Sequence, residues 1–233
     1  QNKDKPFFLF LAYNGPYGLG QHLNNPSKNR FAEYYADKQL NSFPREKPHP
    51  WLRENRAFIG NMVAIRRYAS EVSGVDYGVG KIMDALKRMN LDENTLVIFM
   101  ADQGHCGGHH GMWGMADHGR PLHTFDETLH IPTIWRHPDK IPAGKRSDVM
   151  ISNYDFLPTV LSYLGLKDKT PVKNNLPGRD YSAVLKGENT DWENVVYYEY
   201  DNTRLIRTPE WKYTERLPSG GCIDELYDLV NDP

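Results

Sequence analysis

The sequence holds no apolar stretch approaching the roughly 20 residues that a bilayer-spanning helix needs. Its first residues, QNKDKPFFLF, lack the basic region and long apolar core of a secretory leader. Charge of one sign is not in excess either. The formal net charge is -2 and the basic residues are scattered, so the electrostatic footprint of a nucleic-acid binder is missing. Cysteine is scarce: Cys106 and Cys222 are too few for a disulfide-built scaffold, and a distant pair or two free thiols account for them equally well. Internal repeats and low-complexity tracts are absent.

What remains is a globular composition. Hydrophobic residues make up 39% and charged residues 25% of the 233, enough to build a substantial core in one large domain or a domain with a smaller appendage.

Pro6 to Tyr13, PFFLFLAY, is a continuous apolar run ended by Asn-Gly-Pro, which predicts a strand buried on both faces. Leu19 to Pro50 has no sustained period and reads as a long surface loop, either functional or a disordered excursion. From about Trp51 to Met89 the pattern turns helical, with Val72, Val75, Val79, Ile82, Met83 and Leu86 on one face. Gly74, Gly78 and Gly80 fit a tight helix contact there. Leu96 to Ala101, Ile131 to Trp135 and Val149 to Ser152 are short apolar runs, and Tyr154 to Leu164 is an amphipathic helix closed by Gly165. Strands alternating with helices predict an α/β fold with a mostly parallel sheet flanked by helices. After Pro171 the texture changes: Val195 to Tyr200, Thr203 to Arg207 and Trp211 to Thr214 read as antiparallel strands joined by tight turns. We therefore divide the chain into residues 1–170, part of the α/β domain, and 171–233, a small antiparallel α+β subdomain.

The chemistry-bearing side chains concentrate between Ala101 and His137, which holds seven of the nine histidines with Asp102, Asp117, Asp126 and Glu127. Asp102 and Gln103 follow a predicted strand directly, where ligands bind in parallel sheets. A carboxylate beside an amide carbonyl offers hard oxygen donors suited to calcium or magnesium; an Asp-led turn is the other reading of the pair. The glycines of this loop, Gly104 to Gly114, either admit close backbone approach or simply loosen it.

The string from Asn94 to Gly114, NTLVIFMADQGHCGGHHGMWG, resembles the second metal-ligand segment of the sulfatases, a family of the alkaline-phosphatase superfamily. PFFLFLAYNGPYG, RRYASEVSGVDYGVGKIMDAL, HTFDETLHIPTIWRHP, SNYDFLPTVLSYLGL, LPGRDYSAVLKGE, RLIRTPEWKYTE and ELYDLVNDP resemble further sulfatase segments in the family's order, so the likeness covers nearly the whole chain. The resemblance implies an alkaline-phosphatase-like fold and a calcium-dependent hydrolase of sulfate esters, magnesium being the other candidate ion. A formylglycine made from cysteine or serine would be its nucleophile, and Asp102 and Gln103 metal ligands. It also implies substrate contacts at Tyr17, His110, Met115 and Arg120, and bracing of the metal loop by His105 and His109. The substrate would be a sulfated small molecule or carbohydrate. A periplasmic or extracellular home rests on the resemblance alone; the compartment is otherwise unknown.

Three departures qualify this. The chain has no Cys-x-Pro-x-Arg or Ser-x-Pro-x-Arg motif, so the formylglycine and the first aspartate ligands are expected in an amino-terminal half outside this sequence, and the 233 residues alone are expected to be inactive. Tyr17 stands where the family often has histidine. Met115 stands where lysine is common, leaving Arg120 or His118 to supply a cation or the site to lose sulfate affinity. Two alternatives stay open: a phosphate or phosphonate ester hydrolase of the same superfamily, and a catalytically inactive sulfatase-like binding module.

Overall fold

The computed structural model describes residues 5–17, 20–169, 177–188, 190–217 and 223–232. The helices are α1 (Ala32–Tyr35), α2 (Met62–Arg88), α3 (Asp126–Leu129), α4 (Phe156–Tyr163) and α5 (Ser182–Leu185). The strands are β1 (Val97–Met100), β2 (Cys106–Gly107), β3 (Trp113–Gly114), β4 (Thr133–Arg136), β5 (Val196–Tyr200), β6 (Thr203–Arg207), β7 (Trp211–Arg216) and β8 (Glu225–Asp228). Contacts divide the chain into two units, residues 1–95 with 103–132 and residues 96–102 with 133–233. The 170/171 boundary expected from the sequence falls outside the described residues, as does Cys222.

The first unit is organised by α2. The Asn61 side chain caps it, accepting from the Val63 and Ala64 amides at 3.0 and 3.3 Å, and satisfies donors a helix start leaves orphaned. The helix therefore begins at Met62 and not near Trp51. Its buried residues include Ala64, Ile65 and Ala69 toward the amino end and Leu86 of the predicted face toward the carboxyl end, while Val72 of that face is exposed. Ala64 and Ile65 join Leu23, Phe58 and Trp113 in one core cluster; each fully buried large side chain there contributes about 1.5–3 kcal/mol. A side chain at Gly78 would run into the Tyr13 ring, so that glycine marks a close approach. Residues 20–50 dock on α2 through Asn29 Nδ2, which donates to the Ser70 carbonyl at 2.7 Å, and Tyr35 Oη, 2.8 Å from Ser73 Oγ.

In the second unit β5 to β8 form one antiparallel sheet in sequential order. The three hairpin strands read from the sequence are present, and β8, within the ELYDLVNDP segment, adds a fourth. One face is buried but polar: the Arg216 guanidinium reaches Glu225 at 2.7 Å and Thr203 at 3.2 Å. Trp135 on β4 packs among Phe156, Tyr163 and Tyr181, with ring centroids 5.8–6.3 Å away.

The mostly parallel sheet is not observed. Among the described residues every strand pair is antiparallel, including β1 with β4, where Ile98 faces Trp135. Pro6–Tyr13 carries no strand, and its side chains are exposed, Phe8 at 87%. A strand needs a neighbouring backbone to satisfy its amides and carbonyls, and apolar content alone does not supply one. Val149–Ser152 likewise carries no strand; the Asn194 and Trp192 side chains take the Met150 amide and carbonyl instead.

Candidate functional site

β1 leads directly into Asp102, which belongs to the second unit and is exposed. There Asn153 Nδ2 donates to the Ala101 and Asp102 carbonyls at 3.3 and 3.2 Å, holding the main chain at the strand's end. Gln103, also exposed, opens the first unit's loop.

That loop is fixed by close backbone packing. Gly108 has φ +108°, and a side chain there would strike the Pro44 carbonyl. Gly111 accepts from the His49 amide at 2.8 Å. The glycines of residues 108–111 therefore serve close approach and not looseness. Held against residues 44–49, the loop carries His110 at φ +55°, a left-handed conformation that polar residues visit more readily than branched ones. His110 stacks on Phe125 at 4.2 Å and its Nε2 lies 3.1 Å from Glu127 Oε2. The hydrogen bond from His110, chiefly, holds the Glu127 carboxyl below its usual range, against the opposing effect of burial. An ionised Glu127 accepts from Nε2 and fixes the proton on that nitrogen.

Around the same Phe125 ring lie His49 at 6.4 Å and His123 at 5.0 Å. His123 is buried, and burial first, then the nearby His110, His118 and His49, pull its pKa down to about 4 although its bond to Met115 opposes them. Its Nε2 donates to the Met115 carbonyl at 3.1 Å, and the Met115 amide donates to His118 Nδ1 at 3.2 Å. Two histidines thus grip the main chain of one methionine. The Met115 side chain packs against the Leu23–Phe58–Trp113 cluster, and its Sδ meets Gln103 Nε2.

The other residues singled out from the sequence are engaged differently. His105 stacks on Tyr68 at 4.8 Å and meets the Trp113 edge at 5.4 Å, a packing role. His109 is half-buried beside Glu127. Arg120 spends its guanidinium on the Asp117 and Gly119 carbonyls of its own turn. Tyr17 is exposed and pairs with His22 at 6.2 Å. Cys106 is a buried thiol pushed up to about 12, first by burial and then by Glu127, so it stays protonated and is no nucleophile. Sequence reasoning missed His49, His123 and Phe125, whose meeting depends on a loop fold, and read His118 as a possible cation where the structure has its Nδ1 accept from the Met115 amide; the dense run of histidines and acids was the one signal, and it marked Glu127 without giving it a partner.

Among the described residues no three side chains of His, Cys, Asp or Glu gather as a metal site. Asp102 and Gln103 each carry an oxygen donor, and a hard cation takes six to eight.

The family model described as "Sulfatase" matches residues 1–166. A second, "N-sulphoglucosamine sulphohydrolase, C-terminal", matches residues 111–233. The chain is 29% identical to an endo-4-O-sulfatase of Bacteroides thetaiotaomicron over 98% of its own length and 46% of that protein. A solved Bacteroides thetaiotaomicron structure, described in connection with the metabolism of glycosaminoglycans, superposes with a TM-score of 0.76 at 26% identity, over 100% of this chain and 49% of that one. The phosphonate monoester hydrolase of Agrobacterium radiobacter gives 0.63 at 27% identity, over 74% and 36%. The chain thus spans less than half the length of the curated relatives it matches.

Proposed function

Because the chain belongs to the sulfatase family and shares its alkaline-phosphatase-like fold, we propose that the protein containing it hydrolyses sulfate esters of a carbohydrate. The observation that carries the proposal is the Asp102–Gln103 pair, two hard oxygen donors exposed directly after β1. They would hold calcium, or magnesium. When bound, such an ion supplies positive charge against the ester oxygens.

His110 is the residue of this chain best prepared to meet the substrate. Its ring is oriented by Phe125 and by Glu127 at Nε2, and an imidazole N–H can donate to a sulfate oxygen. Met115 brings no charge, and Arg120 is occupied by its own turn. The formylglycine nucleophile and the remaining metal ligands belong, on this proposal, to polypeptide outside the 233 residues, and the chain by itself does not turn over substrate. Pro6–Tyr13 then takes a strand's place in a mostly parallel sheet completed by that polypeptide, which would cover its exposed side chains. The name of the endo-4-O-sulfatase relative supports a sulfated carbohydrate as substrate.

A phosphonate or phosphate ester is the second reading, supported by the likeness to a phosphonate monoester hydrolase and by the neutral Met115. The test is a paired assay of the protein expressed from its complete reading frame, with a 4-O-sulfated oligosaccharide and an aryl phosphonate monoester. Release of sulfate at the higher kcat/KM supports the first reading. Preference for the phosphonate supports the second, and turnover of neither rejects both.

A further inference from the structure

A capping box joins the amide that opens a helical turn to a side chain at the end of that turn, normally the oxygen of glutamate or glutamine. In the turn Ala116–His118 an imidazole holds that place: the Met115 amide donates to His118 Nδ1 at 3.2 Å. A carboxamide oxygen accepts at any pH, but an imidazole nitrogen accepts only while it carries no proton.

The same nitrogen lies 3.3 Å from Asp117 Oδ1. His118 Nδ1 therefore stands between one donor and one acceptor and can serve only one of them at a time. Neutral, it accepts from the Met115 amide. Protonated, it sets an N–H against that amide and donates instead to the Asp117 carboxylate in a charge-assisted bond. The other charged and titratable groups around it are Arg120, whose guanidinium binds the Asp117 and Gly119 carbonyls, and Arg53, whose amide donates to the His118 carbonyl at 3.0 Å. On the far side of Met115, His123 donates from Nε2 to the Met115 carbonyl at 3.1 Å, with His110 and His49 close enough to act on it. All of these residues lie in the first unit.

We propose that His118 is a pH-sensitive latch on the histidine-bearing loop, fastening the Met115 amide while its Nδ1 is bare and releasing it when that nitrogen takes a proton from solvent and turns to Asp117. The released residue keeps its bond to His123 and its packing against the Leu23–Phe58–Trp113 cluster. Met115 directly follows β3, which pairs with β2 across the connection that carries His109 and His110. Acid thus loosens one anchor of that loop. The latch is independent of the nucleophile and of any metal.

The experiment is amide hydrogen exchange at Met115 in the protein expressed from its complete reading frame, corrected for the intrinsic effect of pH, between about pH 8 and 5, the range in which histidines charge. Protection in the wild type is expected to fall roughly fivefold toward acid, the worth of one hydrogen bond. His118→Gln, whose amide oxygen still accepts, is expected to keep its protection across the range. Asp117→Ala removes the acceptor for the protonated ring and is expected to move the loss to lower pH. Protection that does not change with pH in the wild type, or that falls equally in His118→Gln, would overturn the latch. An Asp117→Ala profile identical to the wild type would overturn it as well.

Discussion

His110 and Glu127 are joined by an imidazole-to-carboxylate contact of 3.1 Å, with the imidazole lying on the Phe125 ring at 4.2 Å. The pair turns a loop residue with left-handed backbone into a fixed donor. Replacing Glu127 by Gln removes the charge and leaves the size. Because the hydrogen bond holds the Glu127 carboxyl below its ordinary range, its stabilisation is present above the unfolded carboxylate's pKa and fades as pH falls through the folded one. Glu127→Gln is expected to cost about 1 kcal/mol at pH 7 and nothing measurable once Glu127 is protonated in both states. Urea melts across pH 3 to 7 check this; a penalty independent of pH contradicts it.

His123 gives the opposite end of the same argument. Its pKa is lowered to about 4, mainly by burial, so between the ordinary histidine value and about 4 the unfolded chain takes up a proton that the folded chain refuses. Stability should fall through that window by an amount on the order of 3 kcal/mol. His123→Gln, which keeps a donor for the Met115 carbonyl, should flatten the profile between pH 6.5 and 4. A variant profile as steep as the wild type would assign the acid sensitivity elsewhere.

In the second unit Asp155 is fully buried and Arg179 lies beside it at 3.6 Å. Asp155 also accepts from the Ser152 and Arg179 amides at 2.8 and 2.7 Å, while the guanidinium binds the Glu193 and Val195 carbonyls. One carboxylate thus starts the Asn153–Tyr163 helical segment and ties residue 179 to it. Asp155→Ala strands buried donors and an unpaired charge, and is expected to cost about 3–5 kcal/mol. Chemical denaturation measures it; a loss below 1 kcal/mol would show the network to be dispensable.

Gly108→Ala is expected to destabilise the first unit by more than 1 kcal/mol, since φ +108° and the adjacent Pro44 carbonyl both oppose a side chain. Amide hydrogen exchange should quicken at Gly111 and Met112, whose amides are bonded to Gly108 and His109. Unchanged exchange there would mean the loop relaxes without cost.

Much of this was legible in the residues. The helix of Val79 to Leu86, the antiparallel strands near the carboxyl end and the emergence of Asp102 just after a strand follow from periodicity and apolar runs, which report local structure. Pairing direction does not: LVIFMA reads equally as a parallel or an antiparallel strand, and only its register against Thr133–Arg136 decides. Pro6–Tyr13 shows the limit most clearly, because an apolar run states what would be buried and not what buries it. At the site, Asp102 and Gln103 stood out by chemistry and resemblance, whereas the meeting of His49, His123 and His110 on Phe125 depends on distant segments packing together. Met115 looked like a lost cation from the sequence; its contact with Gln103 needed coordinates.

The most direct measurement is sulfate release from a 4-O-sulfated oligosaccharide by the protein expressed from its complete reading frame, comparing wild type with Asp102→Ala, each with calcium and after chelation. The account predicts turnover by the calcium-loaded wild type, loss of that turnover on chelation, and at least a hundredfold lower kcat/KM in Asp102→Ala, an effect larger than about 2.7 kcal/mol. Undiminished turnover by Asp102→Ala, or by the chelated wild type, would contradict it.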